Sequence, residues 1–104
     1  MKILFDQGTP APLRRMLTGH EVSPAFEMGW ERLRNGELLA SAEAGFDLLI
    51  TADKNLRYQQ NLSGRRLAIL VLPTTSWPVL RKHGGEILGI VNRMGAGEYR
   101  EAQF

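Results

Sequence analysis

Three carboxylates stand where a hard cation can be held. Asp6 and Asp53 each follow a short apolar run, Lys2 to Phe5 and Asp47 to Thr51, and Glu37 opens a helical stretch. Buried strands of a parallel sheet read as continuous apolar runs, and ligands of such sheets bind beyond the carboxyl ends of the strands. An acid at each of two strand ends can therefore face one crevice. Glu37, taken as the second residue of a helix capped by Asn35, lies at the end where the helix dipole is positive. Converging carboxylates repel one another unless a cation sits between them. Mg²⁺ commonly takes one or two carboxylates, with water and phosphate oxygens filling its shell. Such a centre polarises a phosphodiester and acidifies a bound water for in-line attack. A hard divalent cation such as Mg²⁺ is the cofactor this arrangement predicts. Each acid also has a plain structural use, in a turn for Asp6 and Asp53 and at a helix end for Glu37. It is their shared placement that points to chemistry. The two histidines, His20 and His83, stand alone, and no cysteine is present to build a sulfur site.

The elements that would position these acids alternate between strand and helix. After the first run, Pro10 suits the first turn of a helix with Thr9 as its cap, striped by Leu13, Met16 and Leu17 and stopped at Gly19. A minor strand over residues 20–23 precedes Pro24, and residues 25–34 read as a turn with a short helix. From Asn35 a helix with Leu38, Leu39, Ala42 and Phe46 on its apolar face runs to about Gly45. Residues 54–66 are polar and basic, a loop with a short helix. Leu67 to Leu72 is a third apolar strand, Ser76 caps a helix beginning at Trp77-Pro78, and residues 86–94 form a last amphipathic helix. Residues 99–104 alternate weakly, as an edge strand does. This order predicts an α/β three-layer sandwich: a mainly parallel, twisted sheet of four to five strands with helices on both faces. Trp30 and Trp77 read as core or interface anchors.

With 104 residues the chain forms one domain, residues 1–104, large enough to bury a core without disulfides. Its longest apolar run is far below the roughly 20 residues that span a bilayer, and Asp6 ends the first run too early for a secretory leader. A soluble, cytoplasmic protein with no membrane partner is expected. The net charge of +2 hides a division. Residues 1–53 hold eight acids against five bases, a balance of −3, and residues 54–104 hold eight bases against three acids, +5. An acidic half beside a basic one suits a metal-carboxylate centre flanked by a polyanion track. Lys54, Arg57, Arg65 and Arg66 would hold a single-stranded backbone, with Tyr58 offering a stacking face. Arg14 and Arg15 can reach phosphate from the first helix. Gln7, beside Asp6, and Asn55, two residues past Asp53, are polar groups placed to support the ligands by hydrogen bonds.

The ordered combination KILFDQGTP (2–10), GHEV (19–22), ELL (37–39) and LLITADKNL (48–56) resembles the compact bacterial PIN-like proteins, relatives of the PIN-domain ribonuclease toxins of toxin–antitoxin operons. The resemblance covers most of residues 1–72. It implies a Mg²⁺- or Mn²⁺-dependent nuclease that cuts RNA, is held inactive by an antitoxin protein, and can form a homodimer. Asp6, Glu37 and Asp53 match its acidic positions, and Thr51 matches the threonine of its Thr-x-Asp motif. A fourth acid of full PIN domains has no clear match; Glu21, Glu27 and Glu31 are the residues that can stand in for it. Two other readings stay open. A PIN-like module without catalysis would bind RNA or a partner protein. A phosphoacceptor domain would also place an aspartate at strand ends, but the paired acids expected after its first strand are missing.

Overall fold

Ile3, Leu4 and Phe5 are completely buried. Successive strand residues point to opposite faces, so this needs cover on both sides of the sheet. The computed structural model, which describes residues 1–104, provides that cover. Strands β1 (Lys2–Phe5), β2 (Glu21–Pro24), β3 (Leu48–Thr51), β4 (Ala68–Val71) and β5 (Tyr99–Glu101) form one sheet in the order β2-β1-β3-β4-β5. Every pairing is parallel. On one face Ile3, Phe5, Leu48, Ile50, Ala68 and Leu70 pack against the 3-10 helix Ala11–Met16 and against helices placed after β4. On the other, Leu4, Leu49, Ile69 and Val71 pack against α1 (Asn35–Gly45) and the single turn α2 (Leu56–Gln59). The helices after β4 are α3 (Trp77–Lys82) and α4 (Gly84–Arg93). The three-layer α/β sandwich expected from the strand–helix alternation is present, with all five strands parallel.

Chain order locates the crevice. From β1 the chain steps to β2 on one side and then returns past β1 to β3 on the other. The segment leaving β1 packs on the face opposite to the segment leaving β3. Connections that part in this way open a gap at the carboxyl ends of the two strands, which is where α/β sheets take ligands.

Several elements differ in detail from the sequence reading. The first helix is a 3-10 helix whose N-cap is Pro10, with no side-chain cap, because Thr9 is turned inward. Strand β2 includes Pro24, which an edge strand tolerates because one side of its backbone needs no partner. Helix α1 begins at Asn35 itself, with Arg34 as the extended residue before it. Trp30 packs edge-on against Phe46, 6.0 Å between ring centres, and Trp77 packs on the opposite core, as expected of anchors. No helix is long and apolar enough to cross a membrane.

The turn into β5 depends on Gly97. Its φ is +73°, and a Cβ built there lies 2.8 Å from the Arg65 carbonyl oxygen. Its N–H donates to the Arg66 carbonyl at 2.7 Å, so the backbone cannot simply move away. Gly97→Ala is expected to lower stability by about 1–3 kcal/mol in urea unfolding. An unchanged midpoint would show that the turn absorbs the methyl group without cost.

Candidate functional site

Asp6 is the first residue past β1, and its backbone N–H still donates to the Ile50 carbonyl at 3.1 Å. Both of its carboxylate oxygens are held. Oδ1 accepts from the Thr9 hydroxyl at 2.6 Å and from the Thr9 N–H at 3.1 Å, while Oδ2 accepts from the Thr51 hydroxyl. Thr9 and Thr51 are the two buried polar residues of the chain. Thr9 Oγ1 also lies 3.0 Å from the Ile50 carbonyl, which ties the loop after β1 to the neighbouring strand.

Asp53 follows β3 by two residues. Its N–H donates to Thr51 Oγ1 at 3.1 Å, so one hydroxyl joins the two acids: it donates to Asp6 and accepts from Asp53. Asp53 Oδ1 accepts from the Asn55 N–H at 2.9 Å, the local turn that aspartate readily makes. Oδ2 accepts from the side-chain amide of Asn35 at 2.9 Å. Asn35 opens α1, and its amide nitrogen also lies 3.5 Å from Gln59 Oε1.

The third acid bonds its own helix. Glu37 is the third residue of α1, and its Oε1 accepts from the Arg34 N–H at 3.2 Å. It thus fills the carboxylate half of a capping box on its own helix. The guanidinium of Arg34 has no acceptor and leaves the other half empty. Asn35, rather than Glu37, is what α1 presents to Asp53. Sequence reasoning gave Asn35 a capping role only; the signal that could have exposed it was its amide, which can bond an acid across the crevice.

The remaining residues divide between the two ends of the sheet. Gln7 is exposed beside Asp6, and Asn55 engages Asp53 through its backbone. Lys54 and Arg57 follow Asp53. The Arg57 guanidinium lies 4.7 Å from the Tyr58 ring centre, donates to the Tyr58 hydroxyl at 2.6 Å and sits 3.8 Å from Glu101. The bond from Tyr58 and the charge of Glu101 raise the Arg57 pKa further, and burial pushes the nearby Tyr99 phenol up. Arg65 and Arg66 are at the opposite end, before β4. The Arg66 guanidinium meets Asp47 at 3.3 Å and the Glu43 and Phe46 carbonyls at 3.0 and 3.2 Å. Backbone N–H groups, from Leu67 to Glu43 and from Lys2 to Asp47, hold both carboxyls below their usual range, and Arg66 adds to this. That corner joins strands structurally and does not belong to the crevice. Arg14 pairs with Glu27 at 2.7 Å, and Arg15 is exposed beside it.

None of the stand-ins for a fourth acid is held at the crevice by a recorded contact. Glu21 starts β2 at the amino end, Glu27 is engaged by Arg14, and Glu31 is exposed. His20 bridges the Met1 amine and Asn92, and His83 pairs with Glu86; neither bonds either aspartate. Nowhere do three His, Cys, Asp or Glu side chains gather in a geometry that holds a metal ion. No buried side-chain polar atom lacks a partner. Judged by donor type, the crevice fits a hydrated Mg²⁺ or Mn²⁺ on Asp6 and Asp53, because both are hard oxygen ligands and two carboxylates suffice. It does not fit a three-carboxylate cage. No family model, curated protein or solved structure matches the chain.

Proposed function

We propose that this protein is a Mg²⁺- or Mn²⁺-dependent endoribonuclease of the PIN-like type, the toxin partner of an antitoxin protein. The observation that carries the reading is the pair Asp6 and Asp53, at the carboxyl ends of adjacent central strands and joined through the Thr51 hydroxyl. A divalent ion bound there would supply a Lewis acid for the phosphodiester and an acidified water. The chain's own residues do the rest. Thr9 and Thr51 fix the Asp6 carboxylate, and Asn35 and the Asn55 N–H fix that of Asp53. Held in this way, the two carboxylates lose little freedom when a ligand arrives. Lys54 and Arg57 lie next in the chain to hold backbone phosphate.

Incubating the protein with single-stranded RNA and Mn²⁺ tests this. Endonucleolytic fragments are expected, and EDTA is expected to stop their formation. Mn²⁺ at 100 times its Kd should also stabilise the fold by about 2.7 kcal/mol. A second reading has its own support, since no three carboxylates gather in a geometry that holds a metal ion. A PIN-like module that binds RNA or a partner protein without cutting would show RNA binding in EDTA, no fragments with Mn²⁺, and no stabilisation by the ion.

A further inference from the structure

The largest cleft of the molecule borders Asp53 through its neighbour Lys54 and contains neither aspartate. It has a volume of about 320 Å³ at the carboxyl ends of β4 and β5. Buried Val71, Leu72 and Ala102 form its floor, and Pro73 and Phe104 stand at its walls. Lys54 and Glu101 contribute one charge of each sign. The Phe104 ring is stacked on His83, 4.3 Å between centres and 21° from parallel, so its orientation is set before anything binds.

Resting on the reading of RNA as the substrate, we propose that this cleft seats one unpaired nucleobase of the strand whose phosphate lies at Asp53. The lining decides between ligands. A phosphate would meet the Glu101 carboxylate, which the Tyr99 hydroxyl holds at 3.1 Å. A cation would meet the Lys54 ammonium. A flat, neutral ring with polar edges suits apolar walls, a fixed aromatic and opposed charges. Lys54 also links the two places: it follows Asp53 directly and lines the cleft, so a phosphate at Asp53 and a base in the cleft are neighbours. Tyr58, 73% exposed on the Arg57 guanidinium, continues the surface with a second stacking face. Only a strand with free bases can use these features. A duplex, whose bases are already stacked and paired, would leave the cleft empty.

Binding is measured by fluorescence anisotropy in EDTA, with a labelled oligoadenylate alone and annealed to its complement. The single strand is expected to bind about tenfold more tightly than the duplex, in line with the worth of one stacked base. Phe104→Ala should weaken single-strand binding about tenfold without altering its salt dependence, and Phe104→Trp should restore it. Lys54→Ala should reduce the slope of log K against log salt by about 0.7, the loss of one phosphate contact. Equal binding of strand and duplex, or no change in Phe104→Ala, overturns the proposal and leaves the cleft to a protein side chain. No cleavage is read here. A protein that binds the strand through Phe104 and never cuts it keeps this proposal and loses the nuclease; one that cuts with Phe104→Ala binding unchanged does the reverse.

Discussion

Asp53→Asn is expected to lower Mn²⁺-dependent RNA cleavage at least about a hundredfold, roughly 2.7 kcal/mol of transition-state stabilisation. The shape of the side chain is kept and its charge is lost. Its two oxygens now accept from the Asn55 N–H and the Asn35 amide. In the variant one of these donors must face an amide NH₂, so one bond is lost and the other becomes a neutral one. That costs about 1–2 kcal/mol of stability, and the sheet beneath should remain folded by circular dichroism. Glu37→Gln is the control. Glutamine fills the same half of a capping box, so cleavage should stay near the parent level with Glu37 outside the site. A collapse of cleavage in Glu37→Gln, with Asp53→Asn unaffected, would move the centre to α1 and remove Asp53 from the reaction.

The placement of the two aspartates was legible in the sequence for a physical reason. Residues 3–5, 48–51 and 68–71 are buried on both faces, so their strands read as apolar runs, and the first two end visibly at polar residues. The partners across the crevice were harder to see. A residue taken as a helix cap is expected to spend its side chain on its own helix, which hid the Asn35 amide that reaches Asp53 Oδ2, and nothing in the residue types showed that Glu37 would accept from the Arg34 N–H. The basic segment misled for another reason. Lys54, Arg57, Arg65 and Arg66 are close in sequence, but between them the chain passes from the carboxyl end of β3 to the amino end of β4. Charge proximity along a chain does not survive a crossover. Strand β5 was faint because it is three residues long, half-exposed, and paired on one side only.

Asn35→Asp is expected to reverse the response of the fold to divalent ions. The Asn35 amide donates to Asp53 Oδ2 at 2.9 Å, and a carboxylate in its place turns an attraction into a like-charge contact. In EDTA at neutral pH the variant should be about 1–2 kcal/mol less stable than the parent, through the lost bond and the repulsion. Mn²⁺ should change the order. A third hard oxygen ligand raises the charge facing a cation at Asp6 and Asp53, and affinity at such sites climbs with ligand charge. About tenfold tighter Mn²⁺ binding, or 1.4 kcal/mol, is the expected gain, read by calorimetry and by the rise in Tm on adding the ion. Asn35→Ala separates the two effects, since it removes the hydrogen bond and adds no charge: it should be destabilised in EDTA and gain nothing from Mn²⁺. If Asn35→Asp responds to Mn²⁺ no more than Asn35→Ala does, the crevice does not take a divalent cation, and the aspartates serve the fold alone.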